Sequence, residues 1–377
     1  MFSRFRLKEY DFKLIIMILL LATIGVLAIG SAEPSLQKKQ MLGVAAGTVI
    51  MIFISFLNYS WILKLYWIMY IGNLALLIAV RFAGSDGGGA QRWFEIGALR
   101  FQPSETAKIL LILFFAQFIM KYSNQLNTVK IIGSSILLIL VPWYLIYDQP
   151  DLSTSVVIIV LFCVIMFAGG ISWKVVIGVL SVAIPTVALI VILALQPGDN
   201  IVKDVLKGYH VDRIMAFINP EEYTDTTAYQ QINSVTAIAS GQLDGKGYKN
   251  NEITSVKNGN FLSEDQTDFI FAVIGEEFGF KGVVVVITLL FGIALECISV
   301  ARKAKDVGGT IIAAGMGGLI AFQSFFNIGV ATFILPNTGL PLPFVSYGLT
   351  SLMSLFIGMG FVLNVRLQHK KTEIGRV

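Results

Sequence analysis

Four ionisable side chains stand out near the starts of apolar runs: Glu105, Lys108, Asp151 and Asp268. Ionisable groups inside apolar membrane-crossing segments are costly and usually mark function. Glu105 and Lys108 are three residues apart, so they share one face of a helix. A carboxylate can act as a general base, and an ammonium can bind a phosphate. Helix caps and a local ion pair explain the same residues without any catalytic role.

Other residues extend this set without completing a familiar catalytic motif. Arg92-Trp93 precedes Glu105, and Lys246 lies between two glycines in a turn that does not match a phosphate loop. The chain has 2 histidines, His210 and His369, and no Ser–His arrangement, so acyl transfer by a triad is not expected. Carboxylates together with cations suit a substrate that carries a phosphate group and a hydroxyl to be deprotonated.

The composition indicates an integral membrane protein. Of 377 residues, 55% are hydrophobic and 14% charged, and the mean hydropathy is +0.76. Soluble domains carry about 25% charged residues, and disordered chains are polar and charged. Both classes are therefore excluded. Cys163 and Cys297 lie in apolar runs and give neither a disulfide framework nor a metal-binding spacing.

The apolar runs predict an all-α polytopic bundle of about ten transmembrane helices, with no internal repeat. The predicted spans are 13–31, 41–58, 63–82, 106–121, 129–147, 153–171, 174–195, 268–300, 308–334 and 344–365. The first apolar run is long for a signal peptide. Lys and Arg are concentrated at one set of span ends, which predicts that both termini are cytoplasmic and that the four ionisable residues lie on the outer side.

Two outer regions and one long span depart from a simple bundle. Residues 81–105 form one outer loop, and residues 196–267 form a larger one without a continuous apolar run. Helical periodicity there predicts amphipathic helices on the outer membrane face, with apolar faces formed by Ile201, Val202, Val205 and Leu206, and by Ile232, Val235 and Ile238. We expect one integral membrane domain, 1–377. The span 268–300 is too long for one crossing, so we predict a half-helix to about Glu277, a break at Gly279, and a full span.

The ordered motifs resemble those of the SEDS family (shape, elongation, division and sporulation proteins). They are Arg92-Trp93, Gln102-Pro103-Ser104-Glu105 with Lys108, Gln149-Pro150-Asp151-Leu152, Arg213 with Asn219-Pro220, Gly245-Lys246-Gly247, Gln266-Thr267-Asp268-Phe269-Ile270-Phe271-Ala272 leading to Gly275-Glu276-Glu277, Asn327-Ile328-Gly329, Leu335-Pro336-Asn337-Thr338-Gly339 and Leu342-Pro343-Phe344-Val345-Ser346-Tyr347-Gly348. They span most of the chain, so chance resemblance is excluded.

The sequence departs from the family pattern around the aspartate. Gln266 stands where the family usually has His, and Ser263 where it usually has Pro. In the long loop, Gln230, Asn233 and Ala239 replace the usual His, Gln and Gly. Asp268 itself is kept. Arg213-Ile214-Met215 and the Gly-Lys-Gly turn resemble the RodA branch, which implies a role in cell elongation and rod shape, more than the FtsW branch.

The resemblance implies a peptidoglycan glycosyltransferase that polymerises lipid II by inverting transfer, with undecaprenyl pyrophosphate as the leaving group. It implies that Asp268 is the catalytic base and that Arg92, Lys108, Lys246 and Arg213 hold pyrophosphate. Glu105 and Asp151 would orient Lys108 or the sugars. Trp93, Glu277 and Ser346 are further substrate-binding candidates, although Glu277 also suits a polar helix break, and Asn327, Ser346 and Tyr347 suit interhelical hydrogen bonds. The carboxylates are compatible with a divalent metal, but no spacing specifies a metal site or another cofactor.

The resemblance also implies a place and partners. We expect a multi-pass protein of the bacterial cytoplasmic membrane with an extracytoplasmic active site, working with a class B penicillin-binding protein transpeptidase and with no nucleic acid. A lipid II flippase or a scaffold of the wall-synthesis complex remain alternatives. Charges clustered at one face, rather than at the midplane, favour the enzyme over the transporter.

Overall fold

The computed structural model describes residues 10–87, 90–97, 99–149, 151–195, 207–223, 227–249, 255, 262 and 265–368. Within these ranges the chain is a helical bundle with one small sheet. The helices are α1 (Phe12–Ala32), α2 (Pro34–Ser55), α3 (Tyr59–Ala83), α4 (Pro103–Lys121), α5 (Val129–Asp148), α6 (Leu152–Ala168), α7 (Trp173–Leu195), α8 (Lys207–Ile218), α9 (Thr227–Ser240), α10 (Ile270–Lys303), α11 (Val307–Ala331) and α12 (Leu349–Leu367).

The predicted set of about ten apolar helices is confirmed in position. In the described ranges, 8 helices are long and apolar enough to cross a membrane, and α6 and α7 lie at the other two predicted spans. Some boundaries were wrong. Helix α2 begins at Pro34, not at residue 41, because Glu33 caps it and proline suits the first helical position. Helix α12 begins at Leu349, not at residue 344, since the proline-containing stretch before it is not helical.

Helix α4 is the centre of the bundle and is buried along most of its length against α3, α6, α11 and α12. It begins at Pro103, three residues before the predicted span of 106–121, because a residue without an N–H costs nothing at the first helical position. In the neighbouring α5, Pro142 cannot donate to the carbonyl of Leu138. The Tyr70 hydroxyl donates to that carbonyl instead, at 2.8 Å, which joins α3 to α5.

The predicted outer loop of residues 81–105 contains, in its described part, a three-stranded antiparallel sheet. Its strands are β1 (Ser85–Gly87), β2 (Ala90–Ile96) and β3 (Leu99–Phe101), in the order β1-β2-β3. The Thr350 hydroxyl at the start of α12 donates to the carbonyl of Arg100 at 2.9 Å. The sheet is thereby attached to the bundle directly above the start of α4.

In the long outer region, the described residues confirm short helices at α8 and α9. Residues 201–206, which carry the first predicted apolar face, lie outside the described residues. On α9, Ile232 and Val235 are exposed, whereas Gln231, Ser234 and Ala237 are buried towards the bundle. The Ser234 hydroxyl donates to the carbonyl of Ala331 at 2.7 Å, so the polar face of α9 holds the helix on the end of α11.

Candidate active site

Asp268 lies in a turn, residues 265–269, immediately before α10. The N-cap residue is Phe269, which makes no side-chain capping bond, and the helix begins at Ile270. Gly279 breaks the helix with φ 62 and ψ −162, so the predicted half-helix and its break are confirmed, with the start two residues later than expected. This backbone conformation is open almost only to glycine. The break separates the segment that starts at the Asp268 turn from the rest of α10.

The Asp268 turn is fastened through its backbone. The three carbonyls of residues 266–268 each accept a hydrogen bond from a residue far along the chain. The donors are the Tyr347 backbone N–H at 2.9 Å, the Ser346 hydroxyl at 2.6 Å and the Asn327 side-chain amide at 2.8 Å. These three bonds fix the backbone from which the Asp268 side chain projects.

The Asp268 carboxylate lies against a glycine of the loop between α11 and α12. A Cβ added at Gly339 would lie 3.1 Å from Asp268 Oδ2, and Gly339 has φ +74. The carboxylate is therefore next to a bare Cα in a left-handed backbone conformation. The preceding carbonyl, that of Thr338, accepts a hydrogen bond from the Ser153 hydroxyl at the start of α6. The loop thus brings the Asp268 turn close to the beginning of α6.

Asp151 joins the beginnings of α4 and α6. It caps α6 by accepting from the Thr154 N–H at 3.1 Å, which confirms the predicted capping role; Pro150 lies outside the described residues. Its other oxygen, Oδ2, accepts from the Ser104 hydroxyl at 3.3 Å and from the Gln102 amide at 3.4 Å. Asp151 therefore holds the two helix starts together beside the loop that reaches Asp268.

Glu105 and Lys108 form a buried ion pair, as their spacing predicts. Lys108 Nζ lies 2.7 Å from Glu105 Oε1, and the side chains are 2% and 6% exposed. Glu105 lies in the first turn of α4, where the helix dipole favours a carboxylate, and Lys108 lies in the second turn. The pair carries no net charge in this arrangement, which lowers the free-energy cost of burying it in a medium of low dielectric constant.

Lys246 forms a second ion pair, towards the other end of the half-helix. Lys246 Nζ lies 2.7 Å from Glu276 Oε1, and the Lys246 N–H donates to the Glu276 carbonyl at 2.9 Å. Glu276 is six residues past Ile270, roughly 9 Å along the helix axis. Glu277 next to it accepts from the Ser31 hydroxyl of α1. The turn around Lys246 therefore packs on the end of the half-helix, and Glu277 ties that end to α1.

The two predicted site arginines lie on different elements. Arg213 of α8 donates to the carbonyl of Asn337 at 3.0 Å, two residues before Gly339. Arg92 and Trp93 lie on β2, which packs on α3 and α4. Arg213 thus contacts the loop beside Asp268, while Arg92 lies on a strand that packs on α3 and α4.

The structure identifies hydrogen-bond partners that could not be read from the sequence. Asn327 and Ser346 make the predicted inter-element hydrogen bonds, and their partners are the backbone of the Asp268 turn. Gly339 and Gln102 belong to the motifs that resemble the family. Their positions in the sequence did not predict that Gly339 contacts Asp268 or that Gln102 donates to Asp151. Across the described ranges, no three His, Cys, Asp or Glu side chains lie close enough to hold a metal ion.

Comparison with known proteins assigns this chain to a family. The family model FtsW/RodA/SpoVE, described as cell cycle protein, matches residues 10–371. The peptidoglycan glycosyltransferase MrdB of Escherichia coli K12 is 34% identical over 302 residues, 80% of this chain and 78% of MrdB. The probable peptidoglycan glycosyltransferase FtsW of Bacillus subtilis is 30% identical over 384 residues, 97% of this chain and 93% of FtsW.

Solved structures agree with the sequence relatives. A chain from a peptidoglycan synthase complex that coordinates polymerisation and crosslinking is 28% identical, with a TM-score of 0.78, over 95% of this chain and 97% of that chain. An alanine variant of the rod shape determining protein RodA of Thermus thermophilus is 26% identical, with a TM-score of 0.68, over 95% and 97%. The family match over nearly the whole length, together with these relatives, shows that this chain belongs to the FtsW/RodA/SpoVE family of membrane proteins.

Proposed function

We propose that this chain is a peptidoglycan glycosyltransferase that polymerises lipid II into glycan strands, with Asp268 as the general base. The names of MrdB and FtsW support the activity. The observation that carries the assignment of the base is the position of Asp268, whose carboxylate lies against Gly339 while its backbone is fastened by hydrogen bonds from two other elements. A general base must be held within hydrogen-bond reach of the hydroxyl that it deprotonates.

In the proposed reaction, the acceptor sugar 4-hydroxyl attacks the anomeric carbon of the donor. The oxygen–carbon bond forms as the bond to undecaprenyl pyrophosphate breaks, and the hydroxyl proton passes to Asp268. In-line displacement inverts the anomeric carbon and needs no nucleophile from the enzyme. The product is a glycan longer by one disaccharide, with the released lipid pyrophosphate carrying the negative charge.

In the proposal, the cations bind the negative charge that develops on the pyrophosphate leaving group. Lys108 and Lys246 each have a carboxylate partner at 2.7 Å, so an approaching pyrophosphate competes with Glu105 and Glu276 for them. Arg213 and Arg92, on α8 and β2, complete the pyrophosphate set. Contacts that strengthen as charge builds on the leaving group stabilise the transition state more than the bound substrate.

The remaining site candidates receive other roles in the proposal. Trp93, on the strand beside Arg92, is assigned to substrate contact. Asp151 orients the starts of α4 and α6 through its hydrogen bonds to Gln102 and Ser104. Glu277 and Ser346 support the site from within the protein, because Glu277 accepts from Ser31 and Ser346 donates to the Thr267 carbonyl.

We also propose that both termini are cytoplasmic, that the site faces outwards, and that the partner is a class B penicillin-binding protein. The Lys and Arg distribution supports the orientation. The similarity to a chain of a complex that couples polymerisation to crosslinking supports the partner. Reporters fused after residue 377 and inserted at 241–249 should report opposite compartments. A cytoplasmic signal from the insertion would overturn the orientation.

The activity is tested with purified protein and fluorescent lipid II in detergent, read as glycan polymer on gels. Asp268→Asn keeps the side-chain shape but cannot take the proton, so we expect the rate to fall by about 10²–10⁴. Binding of lipid II and membrane insertion should be retained. The matched control is Asp244→Asn, which changes an exposed carboxylate of the outer region and should leave the rate unchanged. Polymerisation by Asp268→Asn near the parental rate would overturn the assignment.

A further inference from the structure

We infer that Asn327 is a positioning residue that sets the distance between the Asp268 carboxylate and the loop wall at Gly339; this inference rests on the proposed role of Asp268. The Asn327 amide nitrogen donates to the carbonyl of Asp268 at 2.8 Å and to the carbonyl of Leu340 at 2.7 Å. Leu340 directly follows Gly339, and the Gly339 Cα lies against the Asp268 carboxylate. One side chain therefore ties together the residue that carries the base and the backbone that the base touches.

The hydrogen bonding of Asn327 requires an amide at this position. Its side-chain nitrogen has two N–H groups, and each meets one of the two carbonyls. Asn327 is 1% exposed, and its bond to the Leu340 carbonyl is buried, so losing this donor is costly. An aspartate would direct only acceptor oxygens at two carbonyl oxygens, and an alanine would remove both of these hydrogen bonds.

The hydrogen bonds of Asn327 join distant parts of the chain, so they fix the relative position of separate elements and do not only stabilise α11. Asp268 lies 59 residues before Asn327 in the chain, and the second carbonyl lies in the loop that follows α11. Ser346 and Tyr347 hold the neighbouring carbonyls of the turn from the far end of the same loop. Without Asn327, the turn is still attached at residues 266 and 267, but the carbonyl of Asp268 itself and the loop at Leu340 can move apart.

Such a displacement acts on the rate rather than on binding. A misplacement of a reacting group by about 1 Å can cost about 10²-fold in rate. Lipid II binding depends on other residues in the proposed mechanism. We therefore expect Asn327→Ala to lower kcat by roughly 10²-fold and to leave KM within about 2-fold. Asn327→Asp, which keeps the volume, should be no better than Asn327→Ala.

Gln323 provides a matched control one helical turn away. It is also a buried amide of α11, 1% exposed, and its side-chain atoms have no hydrogen-bond partner among the described residues. Gln323→Leu should therefore leave kcat and KM unchanged. If loss of a buried amide from α11 were harmful in itself, Gln323→Leu would be as slow as Asn327→Ala.

The decisive experiment is a double-mutant cycle with Asp268→Asn, measuring kcat, KM and thermal unfolding of the purified full chain. If Asn327 acts through the base, Asn327→Ala should slow the Asp268→Asn enzyme no further, although it costs about 10² in the parental enzyme. A purely structural role would slow both backgrounds equally and in proportion to lost folded protein. That outcome, or a parental kcat in Asn327→Ala, would overturn the inference.

A second variant keeps the test usable if Asn327→Ala does not fold. Gly339→Ala places a Cβ 3.1 Å from Asp268 Oδ2 and disturbs the same contact from the loop side. It should also lower kcat in the parental background and not in the Asp268→Asn background; equal slowing in both would contradict the inference. A fully active Asp268→Asn enzyme would instead refute the proposed base itself, so the two failures are distinguishable.

Discussion

The buried Glu105–Lys108 pair can be tested for catalytic function separately from its contribution to folding. The two charged atoms lie 2.7 Å apart and both side chains are almost fully buried. Lys108→Met removes the ammonium while keeping most of the volume, and Glu105→Gln removes the carboxylate charge. The double variant Glu105→Gln/Lys108→Met removes both charges together.

The burial of the pair determines how much each substitution should change the folding stability. Either single change leaves one buried charge without its partner, which costs about 3–5 kcal/mol of folding stability. Removing both charges at similar volume is often neutral or stabilising, by about 1–4 kcal/mol. A loss of stability in Lys108→Met alone therefore does not show that Lys108 is merely structural, because the remaining Glu105 charge destabilises the fold whatever Lys108 does in catalysis.

The double variant separates the two roles. Thermal unfolding in detergent should return to near the parental temperature, while polymerisation of lipid II stays low by roughly ten- to a hundred-fold, the value of a charge-assisted contact of about 1.5–3 kcal/mol. Lys281→Met, in the exposed pair with Asp244, controls for loss of a surface charge and should cost under about 1 kcal/mol. Parental activity in the stable double variant would refute a catalytic role for the pair.

Three further predictions follow from glycine and carboxyl environments. Gly279→Ala should lower the thermal unfolding temperature, because φ 62 is strained for alanine and its Cβ would meet the Gly245 nitrogen at 2.4 Å; Gly133→Ala, with open space, is the control. Gly25→Ala should destabilise the protein likewise, since its Cβ would lie 2.7 Å from the Val345 carbonyl oxygen, and a stability scan that shows no loss would contradict this. Burial raises the pKa of the Asp11 carboxyl above 3.8, so folding stability should fall as pH rises through that raised pKa; Asp11→Asn should remove this dependence in unfolding measured at stepped pH.

The elements that cross the membrane were predictable because hydropathy and length alone define them. The break of α10 was also predictable, since Glu276, Glu277 and Gly279 interrupt a run too long for one crossing. The pairing of Glu105 with Lys108 followed from helical spacing, which is local. In each case the physical cause acts within a few residues of the feature that it produces.

Features that depend on distant residues were not predictable from one sequence. The strands of the outer sheet are short, two of them only three residues, and carry too little periodicity to be recognised. The pairing of Lys246 with Glu276 joins residues 30 apart. From the sequence, Asn327 is a polar residue whose hydrogen-bond partners cannot be identified. The fold brings the carbonyls of Asp268 and Leu340 to its side-chain amide.

The two buried ion pairs bear on how the proposed enzyme can hold a substrate with concentrated negative charge. An unpaired charge is costly to bury, and Glu105 and Glu276 neutralise Lys108 and Lys246. In the proposed mechanism, the attraction between the lysines and the pyrophosphate grows as the sugar–phosphate bond breaks, and it must outweigh the repulsion from the two carboxylates. In the proposed mechanism, the lysines of these pairs therefore favour the transition state over the bound substrate, which is the condition for a faster reaction.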